Sequence, residues 1–145
     1  MPTINNTLLN KQPTGTILFL CDDFGYPAGW SEVTKNLFKG FKESSNNGIA
    51  LFSKGKLKKK PDILHKDILL SGQGRPLSFL LILLDLVQAI WYLRNKDIKA
   101  IHCLVEPHIP VAYFLSKFLG VKLVLTIYGT YSITPYSSYL RNIYL

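Results

Sequence analysis

Residues 16–31 read TILFLCDDFGYPAGWS, and this segment determines the predicted architecture. Its first six residues form a continuous apolar run, which predicts a buried strand. A loop rich in glycine and proline follows, and apolar residues at helical spacing predict a helix from Ser31 onward. In this order, free backbone N–H groups and the positive end of a helix dipole lie at the carboxyl edge of a sheet. That edge is where α/β proteins bind phosphates.

The rest of the chain repeats the alternation of strands and helices. Apolar runs predict further strands over residues 48–53, 67–71, 99–104 and 121–126, and helices over residues 77–93 and 111–119. The alternation predicts an α/β fold with a Rossmann-like parallel sheet of about five strands in the order 3-2-1-4-5, and with helices on both faces. Residues 1–15 are predicted to be a flexible leader, and residues 16–145 a single domain.

Composition limits the class of protein. A chain of 145 residues that is 48% hydrophobic and 18% charged can bury its own core, which excludes wholesale disorder. Two cysteines are too few for a disulfide scaffold and favour reduced thiols in a reducing compartment. The first residues are polar and lack the apolar segment of a signal peptide, so we expect a cytoplasmic protein.

The most apolar segment, residues 77–93, has two interpretations. A transmembrane helix needs about 20 apolar residues without a central charge, and Asp85 lies near the middle of this segment. A helix packed on the sheet is therefore favoured over a membrane anchor.

The positive charge is concentrated. The chain has a formal net charge of +8, and five lysines lie within residues 54–60. A solvated loop is the plain interpretation of such a run, and contact with an anionic membrane surface is a sharper one. The run contains no arginine or aromatic residue, the types that read and stack on bases, so no nucleic-acid partner is expected. Residues Lys54–Lys60 therefore predict, at most, a peripheral membrane contact.

Candidate site residues begin in the first loop. Gly29 precedes the predicted helix, and its backbone N–H is a candidate phosphate ligand. Neither a dinucleotide-binding glycine motif nor a Walker motif is present, so an ordinary site of those kinds is not expected. Glu32 lies in the first helical turn, where it either complements the helix dipole or binds a sugar hydroxyl.

Two further loops follow predicted strands and should meet the first at the same edge. One contains Glu106 and His108, and His108 is the candidate general base or sugar ligand. The other contains Tyr128-Gly129-Thr130. His102 lies inside a strand and is predicted to be a core residue. The spacing of His102, Cys103 and His108 matches no zinc pattern, so neither a metal nor another cofactor is expected.

Three segments carry a resemblance to a known family. Residues 27–33, PAGWSEV, are similar to a Gly-Gly-x-Glu loop and helix start. Residues 97–108, DIKAIHCLVEPH, are similar to an Asp-x-(Ile/Val)-His strand and its following loop. Residues 119–130, LGVKLVLTIYGT, are similar to a Gly-Val-x-(Leu/Val)-Val-x-Thr-x-His-Gly strand and turn. In this order the chain resembles the N-terminal, acceptor-side domain of GT-B retaining glycosyltransferases, family 4-like, a group that includes sucrose synthases and mannosyltransferases.

The resemblance implies transfer of a sugar from a nucleotide-sugar donor, with retained configuration, in a cleft between two domains. It implies donor phosphate binding near Gly29 and acceptor binding by a set of edge residues: Glu32, Glu106, Tyr128, Gly129 and Thr130. Two positions depart from the family pattern, since Trp30 replaces the second glycine and Tyr128 replaces the turn histidine.

The family's donor-binding domain has no counterpart before Leu145, where the given sequence ends. We therefore expect half of an enzyme, inactive alone, which is either a split subunit with a separate C-terminal-domain partner or a truncated product. A non-enzymatic, Rossmann-like nucleotide-binding or regulatory module is the alternative.

Overall fold

The computed structural model describes residues 15–27, 29–44, 47–70 and 79–127. Strands and helices alternate through these residues, and a single turn of 3-10 helix, Glu106–His108, leads into the last helix. The elements are β1 (Thr16–Cys21), α1 (Gly29–Glu43), β2 (Asn47–Ser53), β3 (Leu64–Leu69), α2 (Phe79–Leu93), β4 (Ile98–Cys103), α3 (Ile109–Leu119) and β5 (Lys122–Leu125).

The strands form one parallel sheet in the order β3-β2-β1-β4-β5. The predicted strand order is confirmed. Strand β1 lies in the centre, where Leu18 is level with Ile49 of β2 and with Ile101 of β4. The chain leaves β1 toward β2 on one side and returns to β4 on the other, so the carboxyl end of β1 is the point at which the strand order reverses. Crevices at such points are where open α/β sheets bind ligands.

Helices cover both faces of the sheet, as predicted. Alternate residues of each strand point to opposite faces. Leu18 and Leu20 face a core that includes Ala89 of α2 and Leu115 of α3. The other face carries an aromatic core in which Phe19 packs against α1, with its ring centroid 5.4 Å from that of Phe38. The fold is therefore an α/β fold with a Rossmann-like parallel sheet.

Most predicted element bounds differ from the structure by one to three residues, and α1 and β3 show why. Helix α1 begins at Gly29, two residues before the predicted start at Ser31. Strand β3 begins at Leu64, whereas the apolar run predicts a start at Asp67. β3 is an edge strand with exposed side chains at Leu64 and Lys66, and edge strands accept polar residues that a search for apolar runs passes over.

Several sequence predictions concern residues that the structure does not describe. The predicted leader falls outside the described ranges except for Gly15, as do residues 71–78 and the tail from Tyr128 onward. Of the predicted segment 77–93, helix α2 covers Phe79–Leu93. Across the described ranges, no helix combines the length and the apolar character needed to cross a membrane.

Cys21 and Cys103 lie on neighbouring strands but on opposite faces of the sheet. Cys21 belongs to the core under α1, and Cys103 belongs to the core under α2 and α3. Both thiols are free and buried, and burial raises the pKa of Cys21 and raises that of Cys103 to about 12. They behave as small apolar residues rather than as a redox pair.

Candidate functional site at the carboxyl edge of the sheet

The loop after β1 is held against the lysine-rich loop, residues 54–60, at the carboxyl edge. Phe24 and Leu57 form a parallel β-bridge. The Phe24 N–H donates to the Lys56 carbonyl at 3.2 Å, and the Lys58 N–H donates to the Phe24 carbonyl at 2.8 Å. These bonds extend the β1–β2 pairing beyond both strands, so the two loops form one surface.

The other side of the lysine-rich loop is bonded to β3. The Lys54 N–H donates to the Leu69 carbonyl at 2.7 Å, and the Gly55 N–H donates to Asp67 Oδ2 at 3.1 Å. The lysines therefore extend from a backbone that is fixed on both sides, and they lie at the edge predicted to bind anions.

An open cleft of about 450 Å³ lies where the two loops meet. Asp23, Tyr26 and Pro27 line it from the β1 side, and Gly55 and Lys56 line it from the lysine side. Lys58 Nζ lies 5.1 Å from the centroid of the Tyr26 ring, a cation–π contact that adds a second ammonium group to this rim. The cleft thus combines two ammonium groups, one carboxylate and one aromatic surface, which suits a phosphorylated or sugar-like ligand.

The first turn of α1 fixes the β1 loop. Gly25 has a φ of 91°, and its N–H donates to Ser31 Oγ at 2.9 Å. Ser31 is fully buried. A Cβ at Gly25 would lie 2.8 Å from the backbone nitrogen of Lys59, so this glycine allows the close approach of the two loops.

Gly29 and Glu32 occupy the beginning of α1. Gly29 is its first residue, and a Cβ built there would meet nothing within 4 Å, so the backbone at this end of the helix is open. Glu32 is exposed in the first turn and forms an ion pair with Lys35 one turn later. The structure therefore places Gly29 at the predicted edge, and it gives Glu32 a surface partner on its own helix.

His108 lies directly behind this edge and is fully buried. Its Nε2 is hydrogen-bonded to Ser53 Oγ at 2.8 Å, which joins the end of β2 to the start of α3. Burial lowers the pKa of His108, and the carboxylates of Asp22 and Asp85 with a hydrogen bond to the Cys21 backbone oppose that shift. The imidazole is therefore neutral at pH 7.

A serine hydroxyl within hydrogen-bond distance of a histidine is also the central contact of nucleophilic hydrolases. In such enzymes the hydroxyl must reach the substrate. Ser53 and His108 both have 0% exposure, so neither side chain presents a surface to a reactant here. The contact connects elements, and the predicted catalytic role of His108 stays a prediction.

Asp85 completes the polar group beneath the edge. This carboxylate is fully buried on the inner side of α2, and its Oδ1 accepts the Leu70 N–H at 2.7 Å, just after the end of β3. Sequence reasoning used Asp85 only as evidence against a membrane span. The one charged residue in an otherwise apolar helix is itself a signal of a buried polar contact.

Asp22 and Asp23 bring negative charge to the same place. Burial and the charge of Asp22 raise the pKa of Asp23, while Lys56 and Lys35 oppose that shift. Asp22 Oδ1 is buried, with no hydrogen-bond partner in the part of the chain that the structure describes. Sequence analysis missed both carboxylates as site residues, although two adjacent acids directly after a buried strand are a usable signal.

Of the remaining predicted residues, Glu106 and His102 lie within the described ranges. Glu106 begins the 3-10 turn after β4, at the carboxyl edge with His108. His102 is bonded through Nε2 to Thr126 Oγ1 at 2.7 Å, and burial lowers its pKa. Tyr128, Gly129 and Thr130 lie outside the described residues, so their predicted place at this edge stays a prediction.

Within the described ranges, no three histidine, cysteine or acidic side chains are grouped closely enough to hold a metal ion. Lys56 and Lys58 at the cleft, which Asp23 also lines, and the exposed start of α1 are the features of this edge that suit an anion.

The chain was also compared with known proteins. No family model matches it, and no curated protein matches it significantly.

Proposed function

We propose that this chain is the acceptor-side half of a retaining glycosyltransferase of the GT-B type, which transfers a sugar from a nucleotide-sugar donor. In this proposal the carboxyl edge receives the acceptor, and the donor is held largely by a second domain or subunit. In this proposal the acceptor-side half does not catalyse transfer alone, because it cannot position both the donor and the acceptor.

The observation that supports the proposal most is that the three segments that resemble the family each include or follow a strand of one parallel sheet, at its carboxyl edge. Residues 27–33 contain the end of the β1 loop and the start of α1, and residues 97–108 contain β4 and the 3-10 turn. Segment 119–130 begins at the end of α3 and contains β5. In a parallel sheet the loops after β1, β4 and β5 emerge at one edge, which is where the resemblance requires them.

The charge at this edge also supports the proposal. Lys56 and Lys58 surround a cleft that includes the Tyr26 ring, and Gly29 presents the open end of α1 nearby. An ammonium group can pair with a phosphate, and an aromatic side chain provides a flat apolar surface for a sugar ring. Glu106 follows β4 at the same edge, where its carboxylate can accept hydroxyl hydrogen bonds.

The test is a titration of the full, ¹⁵N-labelled chain followed by amide chemical shifts. We expect phosphorylated saccharides to move the signals of the β1 loop, the lysine-rich loop and residues 104–108, and nucleoside diphosphates alone to move only those of the lysine-rich loop and the start of α1. Lys56→Gln should weaken binding of a phosphorylated saccharide about tenfold, since the charge-assisted hydrogen bond from its ammonium group to the phosphate contributes about 1.5 kcal/mol. Lys39→Gln, at an exposed position of α1 away from the cleft, is the matched control and should leave binding unchanged.

Two results would contradict the proposal. Tight binding of a nucleoside diphosphate by this chain without any saccharide response would favour a nucleotide-binding or regulatory module. Rapid sugar transfer from a nucleotide sugar by the chain alone would show that it is not half of an enzyme.

A further inference from the structure

The outer surface of α2 is apolar, although it faces away from the core. Five large apolar side chains are exposed on one side of the helix, where successive turns contribute Leu80, then Leu83 and Leu84, then Val87, and then Trp91. Residues three or four apart share one side of a helix, so these side chains form one stripe. The stripe runs for about 16 Å along the helix, at 1.5 Å per residue. Trp91 at its end is 68% exposed.

Helix α3 continues this surface. It packs beside α2 on the same face of the sheet, and its outer side exposes Tyr113, Phe114 and Phe118. We call these eight side chains the α2/α3 surface. A monomeric soluble protein rarely exposes so many large apolar groups in one layer, and such patches mark interaction sites.

The charged side chains in contact with the α2/α3 surface are cationic, and Asp97, exposed beyond the end of α2, is paired with Lys99. Arg94 lies 5.2 Å from the Trp91 ring, and Lys117 lies 5.6 Å from the Tyr113 ring. Lys96 and Lys122 are exposed just beyond the ends of the two helices. Asp85 is the single acidic residue within α2 and α3, and it is fully buried toward the sheet. An apolar patch bordered by cations, with no exposed acid on either helix, is complementary to an anionic lipid surface.

We propose that the α2/α3 surface docks this protein on an anionic lipid bilayer. The helices lie parallel to the membrane plane, their apolar side chains enter the boundary between headgroups and acyl chains, and the flanking cations contact lipid phosphates. With 15 residues, α2 is too short to span the bilayer, but a surface contact needs only one apolar side. The proposal is independent of the proposed function, because this surface is a helical layer and not the carboxyl edge.

Charge favours lipid over a second copy of the chain. In a two-fold dimer through this surface both copies would contribute the same cations, Arg94 and Lys117, and neither helix would supply an exposed acid to pair with them, so the charges would oppose association. The lysine-rich loop is the other candidate for membrane contact. It carries charge, but within residues 54–60 no large apolar side chain is exposed, so it lacks the group that enters the lipid.

The first experiment is co-sedimentation of the full chain with vesicles of phosphatidylcholine, with and without phosphatidylglycerol. We expect binding to the anionic vesicles and a blue shift of Trp91 fluorescence, measured with Trp30→Phe to remove the only other tryptophan. Val87→Ser should reduce binding about tenfold because it removes two methyl groups from the contact. Val33→Ser is the matched control, since Val33 is 46% exposed on α1, against 58% for Val87 on α2.

The second experiment tests charge and stoichiometry. Lys117→Glu should abolish the preference for anionic vesicles, while Lys39→Glu on α1 should preserve it. Equal binding by the wild type and Val87→Ser, with loss in Lys58→Glu instead, would overturn the proposal in favour of the lysine-rich loop. Sedimentation velocity without lipid should show no dimer that depends on Val87, and a dimer lost in Val87→Ser would assign the surface to self-association.

Discussion

At the scale of single residues, Asp85 shows how a charge can belong inside this molecule. A buried carboxylate is costly unless its oxygens accept hydrogen bonds. Oδ1 of Asp85 accepts the Leu70 N–H just after β3 and so satisfies a donor at the end of the strand. The same carboxylate favours the protonated form of His108, so it acts on the polar group beneath the carboxyl edge.

Replacing Asp85 should therefore destabilise the fold by an amount that depends on the replacement. Asp85→Leu removes the acceptor and leaves the Leu70 N–H unpaired, and we expect it to reduce the free energy of unfolding by about 3 kcal/mol. Asp85→Asn keeps an oxygen acceptor and should cost about 1 kcal/mol. Urea denaturation measures both. Asp62→Asn, at an exposed ion pair with Lys42, is the control and should change stability by less than about 0.5 kcal/mol. Equal losses in both Asp85 variants would mean that the hydrogen bond from the Leu70 N–H does not account for the contribution of Asp85 to stability.

The residue scale is also where sequence reasoning finds least. Ser53 and His108 are hydrogen-bonded but lie 55 positions apart, and no periodicity connects them. His108 is predicted at the carboxyl edge because it follows a strand, and that placement is right. Its burial is not predictable, because it depends on how the chain from β2 and the start of α3 pack together in three dimensions.

At the scale of elements, the β1 loop and the lysine-rich loop stabilise each other. Neither has regular secondary structure of its own, but the Phe24–Leu57 bridge continues the parallel pairing of their strands. Gly25 makes this pairing possible, since its left-handed φ turns the chain and its missing side chain makes room for Lys59. Both loops are therefore expected to unfold together rather than separately.

Two glycines provide a matched test of this coupling. Gly25 and Gly55 have similar φ values of 91° and 80°, so an alanine at either position is strained by about 1 kcal/mol. Only at Gly25 would the new Cβ also meet backbone, at 2.8 Å from the Lys59 nitrogen, whereas Gly55 has nothing within 4 Å. We expect Gly25→Ala to lower the free energy of unfolding by about 3 kcal/mol and Gly55→Ala by about 1 kcal/mol. Amide hydrogen exchange should show faster exchange at Lys58 in Gly25→Ala alone. Similar losses of stability in the two variants would mean that the close packing of the two loops at Gly25 does not contribute to stability.

Most elements could be predicted because their patterns are local. The apolar run at β1 and the breakers around it depend on neighbouring residues only, and β1 is found at Thr16–Cys21 as predicted. β3 is the exception, since three of its first four residues are polar and their pairing with β2 is what makes them a strand. The Phe24–Leu57 bridge was not predicted for the same reason, because it depends on a partner strand rather than on local sequence.

At the scale of the whole molecule, titratable groups inside both cores should set the pH range of stability. His102 and His108 have pKa values lowered by burial, and Cys21 and Cys103 have pKa values raised by burial. All four groups are neutral in the folded chain near pH 7. Away from neutral pH, these groups ionise first in the unfolded chain. This ionisation lowers the free energy of the unfolded chain relative to the folded one.

The sign of the effect differs on the two sides of neutrality. Below the ordinary histidine value of 6.5 the unfolded chain binds more protons, so the free energy of unfolding should fall as pH decreases. Above the ordinary thiol value of 9.0 the folded chain retains protons that the unfolded chain loses, so stability should fall as pH rises toward the Cys103 pKa of about 12. The pKa of Asp23 is raised above its ordinary value of 3.8, so near that value the folded chain binds this proton more readily than the unfolded chain does. Protonation of Asp23 therefore opposes the acid decline, at pH values below the histidine range.

Urea midpoints measured across this range should therefore form a plateau between about pH 6.5 and pH 9, with a decline on each side. The Cys103 thiol should contribute about 4 kcal/mol to the alkaline decline, because its pKa rises from 9.0 to about 12, and Cys103→Ala should remove that share of it. Cys103→Ala retains the acid decline, because the histidines are unchanged, and this makes the variant its own control. An alkaline decline of the same size in Cys103→Ala would mean that the Cys103 thiol is not the group that limits stability at high pH.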